Sequence, residues 1–206
     1  DSLLSLVIGS ITNEGYASNY SRVGLGPKGT IKPDIASYGG DLLRGDNGEM
    51  IMKGVNSFSR NGNIASSSGT SFATARISSL ATIIYQNICK DFKNFSDFNP
   101  VLLKALIIHS AKNTDKNLSV EEIGYGIPST STEILSYFKN ENIKIFNGVM
   151  EKNKEIELDA SFFNYKKDIK IKLTLVYDTE FDYLQKGDYI KSDIKIKDIS
   201  ENGKNL

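Results

Sequence analysis

Two side chains are set where they could do chemistry, Ser71 and His109, and Cys89 is the only thiol in the 206 residues. Ser71 lies in Ser66-Ser67-Ser68-Gly69-Thr70-Ser71-Phe72-Ala73-Thr74-Ala75-Arg76, where small polar residues give way to Ile77, Leu80, Ala81, Ile84 and Ile88. Steps of three and four between those apolar residues mark a helix. The Ala, Ser and Thr on its other faces allow close packing from several sides, so the spacing predicts a buried helix running from about residue 71 to 88. A serine in the first turn of such a helix sits among free backbone N–H groups and the positive end of the dipole, which favour a developing negative charge. That is the setting of a nucleophile attacking a carbonyl. The same position also suits an ordinary N-cap at Thr70 or Ser71.

His109 falls inside a second helical stretch, Leu102 to Lys112, stacked with Leu102, Ala105 and Leu106 on one face. A mid-helix histidine among leucines reads as a core or boundary residue. One histidine without nearby cysteines or paired acids makes a poor metal site.

The serine segment resembles the nucleophile segment of the subtilisin-like serine peptidases, the subtilases, in which Gly-Thr-Ser-x-Ala opens the central helix; here it is Gly69-Thr70-Ser71-Phe72-Ala73. Ile31-Lys32-Pro33-Asp34-Ile35-Ala36-Ser37-Tyr38-Gly39-Gly40 is similar to the strand and glycine turn that precede that serine. Leu102 to Lys112 is similar to the following helix, and Gly124-Tyr125-Gly126 to the turn that closes the domain. The resemblance covers about residues 1 to 135. One departure is Ala75, where the family usually has proline; an alanine there preserves the helix. The resemblance implies an α/β fold, the C-terminal portion of a parallel-sheet domain over residues 1–140, followed over 141–206 by part of an antiparallel β-sandwich-like domain. It also implies a serine endopeptidase with Ser71 as nucleophile and with Ser68, Gly69 and Thr70 lining the substrate cleft. Its catalytic Asp and His and its oxyanion Asn would then lie upstream of Asp1.

Composition adds limits. Lys plus Arg equals Asp plus Glu at 25 each, so no net field points to nucleic acid or an anionic membrane. A single cysteine excludes an intramolecular disulfide and leans towards a reducing, cytoplasmic compartment. No run has the length of a membrane-spanning helix, and Asp1-Ser2-Leu3-Leu4, without a basic region or initiator Met, reads as a cut end.

Taken in order, residues 3–11 read as a buried strand and Asn13-Glu14-Gly15 as a turn. Val7-Ile8-Gly9-Ser10 resembles the family strand after the oxyanion Asn, which makes Asn13 a turn residue. Gly24-Leu25-Gly26-Pro27-Lys28-Gly29 matches G-x-G-x-x-G formally, but the extended Thr30-Ile31-Lys32-Pro33 follows it instead of a helix, so it is a surface loop and not a phosphate cradle. Residues 31–37 read as a strand. Gly39 to Ser68 reads as a long polar connection whose Asp41, Asp46, Asn47 and Glu49 lack the spacing of a calcium loop. No cofactor is needed for the implied chemistry, and the structural calcium known in the family is not indicated here. Asn99-Pro100 starts the second helix, expected over 100–112. From about residue 143 alternation takes over, with Ile169, Ile171, Leu173 and Leu175 as the apolar face against wet Lys170, Lys172 and Thr174. Glu155 to Leu158 and Asp193 to Lys197 repeat it, and Asn202-Gly203 reads as a hairpin turn.

Two other functions compete. Gly69-Thr70-Ser71-Phe72-Ala73 is one residue short of G-x-S-x-G, so an α/β-hydrolase-type esterase could pair Ser71 with His109, although such a histidine belongs on a loop. A non-catalytic subtilase-like scaffold or adaptor is the other. Under the peptidase reading the partners are a polypeptide substrate and the missing N-terminal half of the catalytic domain. Apolar surface left bare without that half would make the chain self-associate.

Overall fold

The computed structural model describes residues 5–26, 29–91, 99–113, 117–158, 171–178, 194–196, 200–201 and 204–205. It is mixed α/β: a small parallel sheet, several antiparallel hairpins and two main helices. Strands β1 (Ile8–Ile11) and β4 (Ile35–Tyr38) pair in parallel, Ile8 opposite Ile35 and Ile11 opposite Tyr38. The strand expected over 31–37 is divided, because β3 (Ile31–Lys32) pairs instead with β2 (Gly24–Leu25) as an antiparallel hairpin. Pro33 cannot donate to a ladder, so the division falls there.

Asp34, one residue further on, anchors that break. Its carboxylate accepts from the Val7 N–H at 2.7 Å and from Lys32 Nζ at 2.7 Å, with Lys104 Nζ at 3.9 Å. Asp34 is buried, and a buried carboxylate is tolerated only when it is paired and hydrogen-bonded in this way. Burial pushes the Lys104 ammonium below its ordinary value, against the opposing pull of Asp34.

Helix α1 (Thr70–Asp91) lies against both parallel strands, and α2 (Pro100–Ser110) packs beside it. Asn99 caps α2, accepting from the Leu102 N–H at 2.9 Å, and Pro100 takes the first helical position as expected. The core gathers Ile35, Ile77, Ile84, Ile88, Leu102, Leu106, Ile107, Ile108, Ala111 and Ile134, the last from α4 (Ser131–Ser136). Each fully buried isoleucine among them stabilises the fold by about 1.5–3 kcal/mol. Instead of being covered all round, α1 buries one stripe. Ala73, Ile77, Ile84 and Ile88 are buried, while Ser71, Ala75, Arg76, Ser79, Ile83 and Tyr85 are exposed.

Helix α2 stops at Ser110, short of Lys112, because the chain turns extended at Ala111 and Lys112 pairs with Ile127. That pairing seats the Gly124-Tyr125-Gly126 turn, which follows α3 (Val120–Ile123). Tyr125 N–H donates to Asp34 O at 2.8 Å, and Ala36 N–H donates to Gly126 O at 3.0 Å, so the turn extends the edge of β4. Gly124 has φ +62°, and a Cβ there would overlap the Pro33 and Asp34 carbonyls.

The connection from Gly39 to Ser68, expected as a polar loop, is two antiparallel hairpins. β5 (Asp41–Arg44) pairs with β6 (Met50–Lys53), and β7 (Val55–Phe58) with β8 (Ile64–Ser67). Each turns at an Asn-Gly pair, Asn47-Gly48 and Asn61-Gly62, with φ +81° at Gly48 and +79° at Gly62. Asn-Gly is a hairpin signal for that reason.

Among the expected β segments beyond residue 143, described residues 143–158 and 171–178 contain no strand; residues 169, 170, 193, 197, 202 and 203 lie outside the described residues. β9 (Ser200–Glu201) and β10 (Lys204–Asn205) pair antiparallel. Over 171–178 the faces are reversed from expectation. Lys172 and Thr174 reach α2 and Val176 packs on the core, while Ile171, Leu173 and Leu175 are exposed. The reason lies in the end of α2: Lys172 Nζ donates to the His109 and Ala111 carbonyls at 2.6 and 2.9 Å, satisfying groups that a helix C-terminus leaves open.

Gly124→Ala combines an unfavourable φ with a clash against backbone and is expected to cost about 2 kcal/mol or more in urea unfolding. Gly62→Ala shares the positive φ but has open space around its Cβ, and its cost should stay near about 1 kcal/mol. Equal losses in the two variants would contradict the close approach at Gly124.

Candidate active site

Helix α1 begins at Thr70, so neither Thr70 nor Ser71 is its cap; the residue ahead of the helix is Gly69, which has no side chain to offer. The first turn also carries no acidic residue. Its backbone N–H groups therefore meet no side-chain competitor there, and Ser71 stands exposed among them. Thr74 Oγ1, one turn on, bonds back to the Thr70 carbonyl at 2.9 Å. Ser68, Gly69 and Thr70 are half-buried beside the serine.

The loop that delivers Ser71 is tied to the end of β4. Gly69 N–H donates to Gly39 O at 2.9 Å, and the same carbonyl accepts from Tyr20 OH at 2.8 Å. Tyr20 OH also lies 2.9 Å from Gly40 O and 2.9 Å from Ser10 Oγ. Ser18 Oγ reaches Ser10 Oγ at 2.9 Å and the Gly40 carbonyl, and Ser21 Oγ accepts from the Ser10 N–H at 3.0 Å. Ser10, Ser18 and Ser21 are buried, and every hydroxyl in the cluster has a partner. The glycines have a matching reason. A Cβ on Gly39 would run into Ser10 Oγ and Gly69 O, one on Gly40 (φ +85°) would meet Gly54 Cα, and one on Gly54 would meet Ser67 O. Arg76, two turns into α1, lies over the Tyr38 ring at 5.7 Å from its centroid and joins the helix to the end of β4.

This supporting cluster escaped the sequence reading. A serine inside the apolar run Val7–Ile11 and the hydroxyl-rich Ser18-Asn19-Tyr20-Ser21 were its available signals. Asn13 sits in the expected turn, exposed, with Gly15 N–H donating to Thr12 O at 3.1 Å.

His109 is held elsewhere. Its Nδ1 lies 2.9 Å from Thr174 Oγ1, and its ring meets Tyr137 edge-on at 5.8 Å between centroids. Burial, and then the Lys172 charge, hold its pKa below the ordinary histidine value. These contacts lie at the C-terminal end of α2, and none of them involves the serine loop. Among the described residues no group of three or more His, Cys, Asp and Glu side chains is arranged to hold a metal ion.

An exposed serine at an uncapped helix N-terminus, above parallel strands and fixed from behind by glycines, is the constellation on which comparison with known proteins bears. The family model described as the subtilase family matches residues 2–126. The chain belongs to the subtilase family. No curated protein matches it. Among solved structures it is similar to the CspB protease of Clostridium perfringens, at a TM-score of 0.48 and 19% identity, over 69% of this chain and 28% of that one. It is also similar to MycP1 from Mycobacterium smegmatis, at a TM-score of 0.44 and 22% identity, over 76% of this chain and 35% of that one. The chain thus spans roughly a third of the length of either.

Tyr20→Phe removes a donor shared by two buried carbonyls and is expected to cost about 1–3 kcal/mol. Hydrogen exchange at the Gly69 amide should quicken by more than the global loss of stability explains; unchanged exchange would show that Tyr20 does not hold the loop. His109 gives a pH dependence. Its folded pKa is depressed, so between that value and about 6.5 the unfolded chain binds more protons, and stability falls as pH falls through this window. The slope is only a fraction of the about 1.4 kcal/mol per pH unit that one proton allows, because the ring is partly solvated. Thermal melts at pH 7 and pH 5 should converge in His109→Gln relative to the parent.

Proposed function

We propose that Ser71 is the nucleophile of a serine endopeptidase and that residues 1–140 are the C-terminal part of its catalytic domain, with residues 141–206 beginning a second domain. The observation that carries this reading is the exposure of Ser71 within the uncapped first turn of α1, in a chain of the subtilase family. The hydroxyl would attack the scissile carbonyl and form an acyl-enzyme. The backbone N–H of Ser71 would donate to the oxyanion, and Ser68, Gly69 and Thr70 would line the cleft beside the scissile bond.

The base must come from outside these residues. An unassisted hydroxyl stays protonated at neutral pH, and the helix dipole supplies only about 0.3–1 kcal/mol at an exposed end. Loss of the Ser or His of a triad costs on the order of 10⁶ in turnover, about 8 kcal/mol, which a helix end does not recover. The catalytic Asp and His and the oxyanion Asn are therefore assigned to sequence upstream of Asp1. The exposed face of α1 is where that part would pack.

In the full-length protein Ser71→Ala should abolish peptide hydrolysis and fluorophosphonate labelling, with a loss on the order of 10⁶ in turnover. The 206-residue chain alone should label negligibly, and adding the upstream portion as a second chain should restore labelling. Rapid stoichiometric labelling of the isolated chain would refute the missing base. A full-length protein that never labels would favour the scaffold reading.

A further inference from the structure

Residues 171–178 are fastened to the end of α2 mainly by polar contacts. Lys172 Nζ donates to the His109 and Ala111 carbonyls at 2.6 and 2.9 Å, and Thr174 Oγ1 lies 2.9 Å from His109 Nδ1. Val176 packs on the core, while Ile171, Leu173 and Leu175 face solvent. Apolar burial therefore does little to seat this segment, and its hold depends on the charge state of the groups beneath it.

Those groups set two cations in competition for one helix end. The last carbonyls of a helix favour a positive charge, and a histidine in the last turn, as His109 is, is well placed to supply it. Here the His109 carbonyl is already taken by Lys172, and the half-buried ring is kept neutral by burial and then by the Lys172 charge. Among the described residues the surrounding groups do not offset a second charge. Tyr137, edge-on to the ring at 5.8 Å, stays protonated because burial raises its pKa. Lys112 is near enough to lower the Lys172 pKa, and Glu133 is bonded to Lys112 at 2.9 Å. Asp178, the acid within the segment, acts on Lys104. Lys172 and Lys112 against Glu133 leave a net positive charge, and a proton on His109 adds to it. Protonation does not itself break the Thr174 contact, since Nδ1–H can donate to a hydroxyl oxygen; it places two partly desolvated cations on the same helix end.

We propose that residues 171–178 are an acid-released strap: at neutral pH Lys172 holds them on the end of α2, and when His109 gains a proton the imidazolium takes over that helix end and the strap lets go. The sign follows from the two environments of the ring. Undocking returns His109 to water and removes Lys172, so the undocked state binds the proton more tightly, and docking weakens as pH falls below about 6.5. One proton allows at most about a tenfold change in the docking constant per pH unit. None of these contacts involves Ser71, so release of the strap does not depend on the peptidase reading.

The test is hydroxyl-radical footprinting of the full-length protein carrying Ser71→Ala, which prevents self-digestion. Oxidation of Val176 is read by mass spectrometry against that of Leu173 and Leu175 in the same molecule, so any effect of pH on the radical chemistry cancels. From pH 7 to pH 5 the Val176 ratio is expected to rise about twofold or more, with the helical circular-dichroism signal unchanged. His109→Gln, which keeps a hydrogen-bonding side chain without a titrating charge, should hold the ratio within about 1.3-fold over the same range. Lys172→Gln, which removes the competing cation, should raise the ratio already at pH 7 and shrink the further rise at pH 5. A ratio that pH leaves unchanged in the parent would overturn the strap, and so would a response of His109→Gln or Lys172→Gln equal to the parent's. Loss of helical signal in step with the ratio would show the whole fold opening and would overturn local release as well.

Discussion

The placement of Ser71 depends on one carbonyl oxygen, that of Gly39. It belongs to the first residue beyond β4, and it accepts both the Gly69 N–H and the Tyr20 hydroxyl. Through the first bond the start of α1 is tied to the end of a parallel strand. Through the second, that strand end is tied to the buried hydroxyls of Ser10, Ser18 and Ser21. Because a buried polar group left without a partner costs about 1–3 kcal/mol, the cluster is stable only in the arrangement that satisfies all of it. That is how a serine on a loop-to-helix junction acquires a fixed position although it makes no packing contribution of its own.

Glycines let this arrangement close. Gly39, Gly40 and Gly54 bring three backbone segments into direct contact, which any side chain would hold apart. The same device recurs on the other edge of β4, where Gly124 and Gly126 lie against the Pro33–Asp34 and Lys112 backbone. Asp34 connects the two edges. Its side chain holds Val7, Lys32 and Lys104 while its own carbonyl receives Tyr125. The Lys-Pro-Asp and Gly-Tyr-Gly segments are thus two halves of one junction: proline frees β4 from the β2–β3 hairpin, and the glycine turn then occupies the edge so exposed.

Legibility in the sequence follows from which forces set each element. Helices α1 and α2 were readable because Ile77, Ile84 and Ile88, and Leu102, Leu106 and Ile107, face one core at helical spacing, and because Asn99-Pro100 marks a start through local chemistry. The serine's place at the head of α1 was readable for the same reason. The hairpins between Gly39 and Ser68 were not readable by periodicity, since strands exposed on both faces carry no inside-outside alternation. Their only written sign is Asn47-Gly48 and Asn61-Gly62. The hydroxyl cluster was hidden for another reason: burial of Ser10, Ser18 and Ser21 depends on contacts between segments that a linear pattern does not encode. Nor does the pattern of α1 reveal that Ser79, Ile83 and Tyr85 stay exposed.

Residues 171–178 show where pattern reading gives the wrong face. Alternating Ile171, Leu173 and Leu175 should lie inward if apolar burial alone decides. The end of α2 changes the competition, because its carbonyls need donors and its dipole favours a cation, and Lys172 supplies both. With Lys172 fixed there, Thr174 meets His109 and Val176 packs on the core, and the apolar residues between them turn outward. Lys172 is held at a cost, since burial and the nearby Lys112 lower its pKa, and the two carbonyl bonds offset that cost. A directional polar demand at a helix end thereby sets the register of a segment whose composition alone favours the opposite one.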